Sequence, residues 1–180
     1  MSLATVSTRS RRQTAPKERH EEDWYVEPAG AVHALLMAEP FEGLTWDPCC
    51  GCGTIPRTMA KHGMRCLGSD VRDRAQGLYP VLNFIKTPPG RRDIENIVMN
   101  PPYGIAQQMI QQARGCAARK VAALCRLAFL EGKGRAPWFA SSHLSRVLVF
   151  SDRISMPPGD LLEAGEVKPK GGAVAFAWFI

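Results

Sequence analysis

The chain has 180 residues, of which 45% are apolar and 22% charged; that is one domain at roughly 150 residues apiece, able to bury about 70% of its extended surface without disulfide staples. No apolar run reaches the ~20 residues of a membrane span, and residues 1–20 lack the apolar core of a secretory signal, so the sequence predicts neither a spanning nor a secreted protein. The formal net charge of +6 points to an acidic partner, with nucleic acid first among the candidates.

In chain order, residues 1–22 are expected to form a basic, disordered tail. Arg9, Arg11, Arg12, Lys17 and Arg19 meet only Glu18 within residues 1–20, and large apolar groups are nearly absent. Such a tail either touches phosphates or merely solubilises the chain. A folded domain is expected over residues 23–180. Apolar spacing predicts a helix over 29–38, stopped by Glu39 and Pro40. A short apolar strand over 44–48 runs into a glycine-containing turn, and a helix over 54–62 follows, with Gly63 as its C-terminal cap. A second strand spans 65–70, a short helix 73–79, and a weak third strand 83–86. The next strand, 96–100, runs into two prolines. An amphipathic, glutamine-rich helix covers 105–118, and a buried strand covers 121–127. Residues 133–142 read as a loop with at most one helical turn. Two late strands, 146–151 and 173–180, flank a Pro/Gly-rich excursion. Strands alternating with helices predict a parallel sheet covered on both faces, and the last two strands an antiparallel edge hairpin.

The six cysteines are Cys49, Cys50, Cys52, Cys66, Cys116 and Cys125. Three crowd into one turn, where adjacent thiols bridge poorly, so the sequence predicts free thiols in the reducing cytoplasm.

Ligands of open α/β sheets bind beyond the carboxyl ends of the strands. Three strand ends here are polar. The first runs Asp47, Pro48, Cys49, Cys50, Gly51, Cys52, Gly53, Thr54. Its glycines allow a tight turn and close approach to a ligand. Asp47 puts an acid where a phosphate loop would want a lysine, which suits a cationic or zwitterionic ligand. The second end is Asp70, which follows Gly53 by nearly the ~20 residues expected of an acid that grips ribose hydroxyls. The third is Asn100, Pro101, Pro102, Tyr103. Asn100 offers a side-chain carbonyl, the prolines present the next main-chain carbonyl rigidly, and Tyr103 offers a flat face. That set suits a planar amine.

These loops, in this order, resemble the class I S-adenosylmethionine-dependent methyltransferases, and in particular the amino-methyltransferases with an Asn-Pro-Pro-Tyr motif of the phage-type DNA N6-adenine kind. The segment Trp24, Tyr25, Val26, Glu27, Pro28 resembles the part of such enzymes that closes over the methionine end of the cofactor. The resemblance covers residues 23–180. It implies an α/β, Rossmann-like methyltransferase fold with a mostly parallel seven-stranded sheet, an antiparallel edge hairpin and helices on both faces. It implies S-adenosylmethionine held by Tyr25, Pro28, Asp47, Pro48, Cys49, Cys50, Gly51, Gly53, Thr54, Asp70, Val71, Asn83 and Phe84. It implies catalysis by Asn100, Pro101, Pro102 and Tyr103, without a metal. Many relatives carry an acid where Asn83 precedes Phe84; the asparagine carbonyl can still accept from an adenine amine.

The implied reaction is N-methylation of an exocyclic amine of a nucleic-acid base, adenine N6 in DNA ahead of the others. An RNA base, a protein glutamine, and a non-catalytic cofactor-binding subunit stay open. Implied partners are DNA before RNA, no membrane, and a specificity-giving subunit or a second copy, because the chain has no room for a separate target-recognition domain. Trp138 and Phe139 are candidate walls of a base pocket, and Arg126, Lys133 and Arg135 candidate phosphate contacts; each reads equally well as a packed aromatic or a solvated cation. Replacing Asp70 is expected to weaken cofactor binding with little effect on folding.

Two rival readings use the cysteines. Cys49 and Cys52 have the spacing of a redox pair. Cys49, Cys52, His62 and Cys66 count as four zinc ligands, but His62 would lie about 12 Å along the helix axis from the cysteine turn. Neither accounts for Asp70 or Asn100.

Overall fold

The computed structural model describes residues 23–86, 93–169 and 172–180; the predicted basic tail lies outside them. The chain runs through α1 (Ala29–Ala38), β1 (Thr45–Asp47), α2 (Thr54–Lys61), β2 (Cys66–Gly68), β3 (Asn96–Met99), α3 (Ala106–Cys116), β4 (Lys120–Arg126), α4 (Ala136–Ser141), β5 (Val147–Val149), α5 (Gly159–Glu163) and β6 (Phe176–Phe179). A 3-10 turn, Leu127–Leu130, links β4 to the loop before α4.

The described strands form one sheet in the order β2-β1-β3-β4-β6-β5. β1, β2, β3 and β4 are parallel, and β6 runs antiparallel to both β4 and β5. The predicted mixed sheet with an antiparallel edge is therefore present. Every residue of β1, β3 and β6 is buried, as expected of strands covered on both faces. Side chains alternate between the faces. Ile97 and Met99 pack with Trp46, Met109 and Phe179 on the α3 side, while Val98 packs with Leu35, Ile55 and Trp178 under α1 and α2. The buried Trp178 indole donates to the Ala31 carbonyl at 2.9 Å, tying β6 to α1.

The sheet has six described strands rather than seven. Residues 83–86 form a turn, because both the carbonyl and the side-chain Oδ1 of Asn83 accept from the Lys86 amide, at 3.1 and 3.0 Å. All that remains of a further edge strand is a single parallel bridge between Asp70 and Val81. The helix expected over 73–79 is also absent. The Asp73 carboxylate accepts from the Ala75 and Gly77 amides at 3.2 and 2.9 Å, and Gln76 and Gly77 both take left-handed backbone, which no α-helix admits. Conversely, the loop expected over 133–142 contains α4, with Pro137 in its first turn. The Pro/Gly-rich excursion contains the short α5.

Chain order reverses at β1. β2 lies on one side of it and β3 on the other. The loops after β1 and β3 therefore diverge and leave a crevice at the carboxyl ends of the strands.

Candidate active site

The crevice is built on three strand ends. After β1 the chain turns sharply from Pro48 to Gly53. The Cys50 amide donates to the Ser69 carbonyl at 2.9 Å, which fixes this turn to the end of β2. Gly51 and Gly53 take left-handed backbone with φ of 53° and 88°. A Cβ on Gly51 would lie 2.8 Å from the Trp24 indole nitrogen, and one on Gly53 would lie 2.4 Å from the Tyr79 ring. The glycines thus admit aromatic neighbours as well as the turn itself. Gly53→Ala combines backbone strain of about 1–3 kcal/mol with expulsion of Tyr79, and a lowered melting temperature in thermal denaturation is the expected result.

Asp70 follows β2. One carboxylate oxygen accepts from the Gly51 amide at 2.8 Å; the other accepts from the Arg72 amide at 3.0 Å and lies 3.6 Å from Arg74 Nε. A carboxylate has about four lone-pair positions, so Asp70 anchors the turn and keeps capacity for a ligand hydroxyl. The expectation that its loss would spare folding is corrected, because the Gly51 amide would be left buried without its acceptor.

Asp47 sits beneath the turn. Its Oδ1 accepts from the Cys49 amide at 3.2 Å, and its Oδ2 is buried with no hydrogen-bond partner. Burial, reinforced by the charge of Glu27, pushes its carboxyl well above the usual carboxylate range. Glu27 is also buried, and burial raises it to about 7 against opposing hydrogen bonds from Asn100 and Thr54. Burial likewise pushes the Cys49, Cys50 and Cys66 thiols up. They stay protonated at neutral pH, so Cys49 does not supply the thiolate of a redox pair. His62 faces His33, with ring nitrogens 3.0 Å apart, and no metal-binding group of three or more His, Cys, Asp or Glu occurs among the described residues.

Asn100 ends β3. Its Nδ2 donates to the Tyr25 carbonyl and to Glu27 Oε2, both at 2.8 Å. Its Oδ1 is buried with no hydrogen-bond partner. These two donations use both amide hydrogens and fix which amide atom is the oxygen. The Cys49 thiol donates to the Asn100 main-chain carbonyl at 3.4 Å, joining the first and third loops.

Of the expected site residues, Tyr25, Pro48, Cys49, Cys50, Gly51, Thr54, Asp70, Val71, Asn83, Phe84, Asn100 and Pro102 line one cleft. Pro28, Asp47, Gly53, Pro101 and Tyr103 do not line it. Pro28 caps α1 in extended backbone. Asp47, Gly53 and Pro101 are buried. The Tyr103 ring stacks on Tyr25, with centroids 5.5 Å apart, beside Phe176 and under the Arg126 guanidinium at 4.8 Å. Trp138 and Phe139 are not base-pocket walls. They pack edge-on against Phe129 beneath α4, away from the cleft. Arg135 is no free phosphate contact either, since its guanidinium donates to the carbonyls of Ala128, Phe129 and Glu131.

Of the other cleft residues, Trp24 and Glu27 belong to the segment that the sequence marks without giving them individual roles, and Arg74 carries no sequence signal. Residues 23–27 lie as a strap across the cleft. They are held by Val26 N–H to Pro157 O at 2.9 Å, Gly159 N–H to Trp24 O at 3.1 Å and Gly104 N–H to the Asp23 carboxylate at 2.7 Å. The Trp24 indole covers Gly51 under the Arg74 guanidinium, 4.0 Å from its ring. With the strap in this position the cleft encloses about 130 Å³, less than the ~300–1,000 Å³ of typical small-molecule sites.

The donor set suits a cation bearing hydroxyls and an amine. Three carboxylates, Glu27, Asp47 and Asp70, surround the glycine turn, and the buried Asp47 Oδ2 and Asn100 Oδ1 lack hydrogen-bond partners. No family model and no curated protein sequence matches this chain. Solved structures do. One from Vibrio vulnificus, described as a modification subunit of a type I restriction enzyme, aligns at a TM-score of 0.60 and 13% identity over 86% of this chain and 43% of its own. This chain thus spans less than half of that subunit. One from Pyrococcus horikoshii, described as an RNA methyltransferase, aligns at 0.60 and 14% over 86% and 84%. A magnesium protoporphyrin IX methyltransferase from Synechocystis, with S-adenosylmethionine bound, aligns at 0.52 and 14% over 83% and 74%. The chain is a mixed α/β domain with the Rossmann-like fold of the S-adenosylmethionine-dependent methyltransferases.

Proposed function

We propose that this protein is an S-adenosylmethionine-dependent N-methyltransferase acting on an exocyclic amine of a nucleic-acid base, adenine N6 in DNA. The observation that carries the reading is Asn100, whose amide hydrogens are both taken while its carbonyl oxygen stays buried and unpartnered at the edge of an acid-lined cleft. The similarity to a structure described as a restriction-enzyme modification subunit supports the nucleic-acid substrate, as does the net charge of +6.

The cofactor supplies an electrophilic methyl group on a sulfonium, so the protein's task is placement and charge stabilisation rather than strong acid–base chemistry. Asp70 would hold the ribose end, and the buried acids Glu27 and Asp47 would favour the cationic end. Asn100 Oδ1 and the Pro101 carbonyl would accept the two hydrogens of the target amine. These contacts strengthen as positive charge develops on the nitrogen, which is where preorganised dipoles act most strongly. A base in a duplex must leave the stack to reach them. Tyr25 covers one face of Tyr103, so a base stacks on that face only when Tyr25 swings away with the strap.

The test is acceptor labelling. The full chain is incubated with methyl-labelled cofactor and separate DNA, RNA and protein pools. Label in DNA is expected. Label in RNA or protein alone moves the substrate class, and cofactor binding without transfer to any pool replaces catalysis by a scaffold role.

A further inference from the structure

We infer that Glu27 is a positioning residue, which with the Tyr25 carbonyl locks the Asn100 amide so that its carbonyl oxygen is the acceptor presented to the substrate amine. The inference rests on the methyltransferase reading and adds a residue that the sequence motifs do not mark.

An asparagine amide can present either end to a site. A free Asn100 would spend part of its time with a donor facing the target amine, which repels it. Here the strap supplies two acceptors, both 2.8 Å from Nδ2. One is a main-chain carbonyl, which only accepts. The other is a carboxylate oxygen, which accepts while ionised and turns into a donor on protonation. A protonated Glu27 can donate to Asn100 Oδ1 and consume the acceptor that the reaction needs.

The surroundings of Glu27 set when that happens. Thr54 on α2 hydrogen-bonds its carboxylate, and the Arg57 charge on the same helix favours ionisation. Asp47 at the end of β1 opposes it, and the Cys49 thiol and Tyr103 phenol face it in neutral form. Burial dominates and raises Glu27 from 4.5 to about 7. The lock is therefore complete above neutral pH and is lost as pH falls through 7. Its effect on stability has the opposite sign. A raised carboxyl favours the folded chain at low pH, and that contribution disappears as pH rises through the folded value.

The test reads the Asn100 side-chain amide directly, by nitrogen-15 NMR on the full chain without cofactor, with the signal assigned by its absence in Asn100→Ala. The amide of the unmodified protein should titrate with a midpoint near 7, and Glu27→Gln should abolish that titration. In turnover, Glu27→Ala, which takes away an acceptor of Nδ2, should lower kcat about a hundredfold, the cost of a misplaced catalytic group, whereas Glu27→Gln keeps an amide oxygen for Nδ2 and should remove the acid limb of the pH profile. Its melting temperature at pH 8 should be no lower than that of the unmodified protein, because a buried charge is gone. An amide that does not titrate, or a Glu27→Ala variant of unchanged kcat, overturns the lock. A titrating amide in a protein that methylates no acceptor supports the lock and overturns the methyltransferase reading instead.

Discussion

Asn100→Ala abolishes methyl transfer, with kcat down by at least about a thousandfold, while cofactor affinity stays within a few fold. Removing one preorganised polar group from a transition-state site costs roughly a hundred- to a thousandfold, and this variant loses more than one contact. The acceptor for the target amine disappears. The Tyr25 carbonyl and Glu27 Oε2 lose their shared donor. The Asn100 hydrogen bond holds the Glu27 carboxyl down, and without it that acid rises further. Cofactor affinity survives because Gly51 and Asp70 bond each other, and the Cys49 thiol bonds the Asn100 main-chain carbonyl, which alanine keeps. Initial rates with labelled cofactor, together with isothermal titration, separate the two effects. Substantial residual turnover would remove Asn100 from the chemistry.

Asp70→Ala has the second large effect, and it acts twice. Losing a charged hydrogen-bond partner costs about 1.5–3 kcal/mol, so cofactor affinity falls roughly ten- to a hundredfold. The Gly51 amide is left without its acceptor at 2.8 Å, and a buried unsatisfied donor costs about 1–3 kcal/mol of stability. The melting temperature of a domain this size then falls by several degrees, at about 2–4 °C per kcal/mol. Asp70→Asn separates the two roles. It keeps an acceptor for the Gly51 amide but loses the charge paired with Arg74. Its stability should recover most of the loss while cofactor affinity stays low. An Asp70→Ala variant with unchanged melting temperature would contradict the anchoring role.

The parts of the site legible in the sequence are those carried by neighbouring residues. Asp47 through Thr54 form one turn, and Asn100 through Tyr103 one strand exit, so composition and spacing locate both. The strand-switch geometry then brings them together, which is why Cys49 and Asn100 touch. Glu27 is marked in the sequence only as part of the 24–28 segment, and its contact with Asn100 was not legible because the two lie 73 residues apart. The two misread elements share a cause. Asp73 and Asn83 each bind nearby main-chain amides, and these short-range bonds outcompete helix and strand pairing. The aromatics of α4 misled in a different way. The sequence offered Trp138 and Phe139 as walls of a base pocket, yet the chain folds them onto Phe129, a contact set by tertiary packing alone. Burial and the neighbouring acids push the Cys49 and Cys50 thiols up, which disfavours thiolates at those two positions.

Residues 23–27 both line the cleft and, through the Tyr25 carbonyl and Glu27, hold the Asn100 amide.

The most direct measurement is nucleoside mass spectrometry of DNA after incubation with the purified full chain and labelled S-adenosylmethionine. The account predicts labelled N6-methyldeoxyadenosine, formed by the unmodified protein and missing with Asn100→Ala. Label confined to RNA or protein, or equal product from Asn100→Ala, would contradict it.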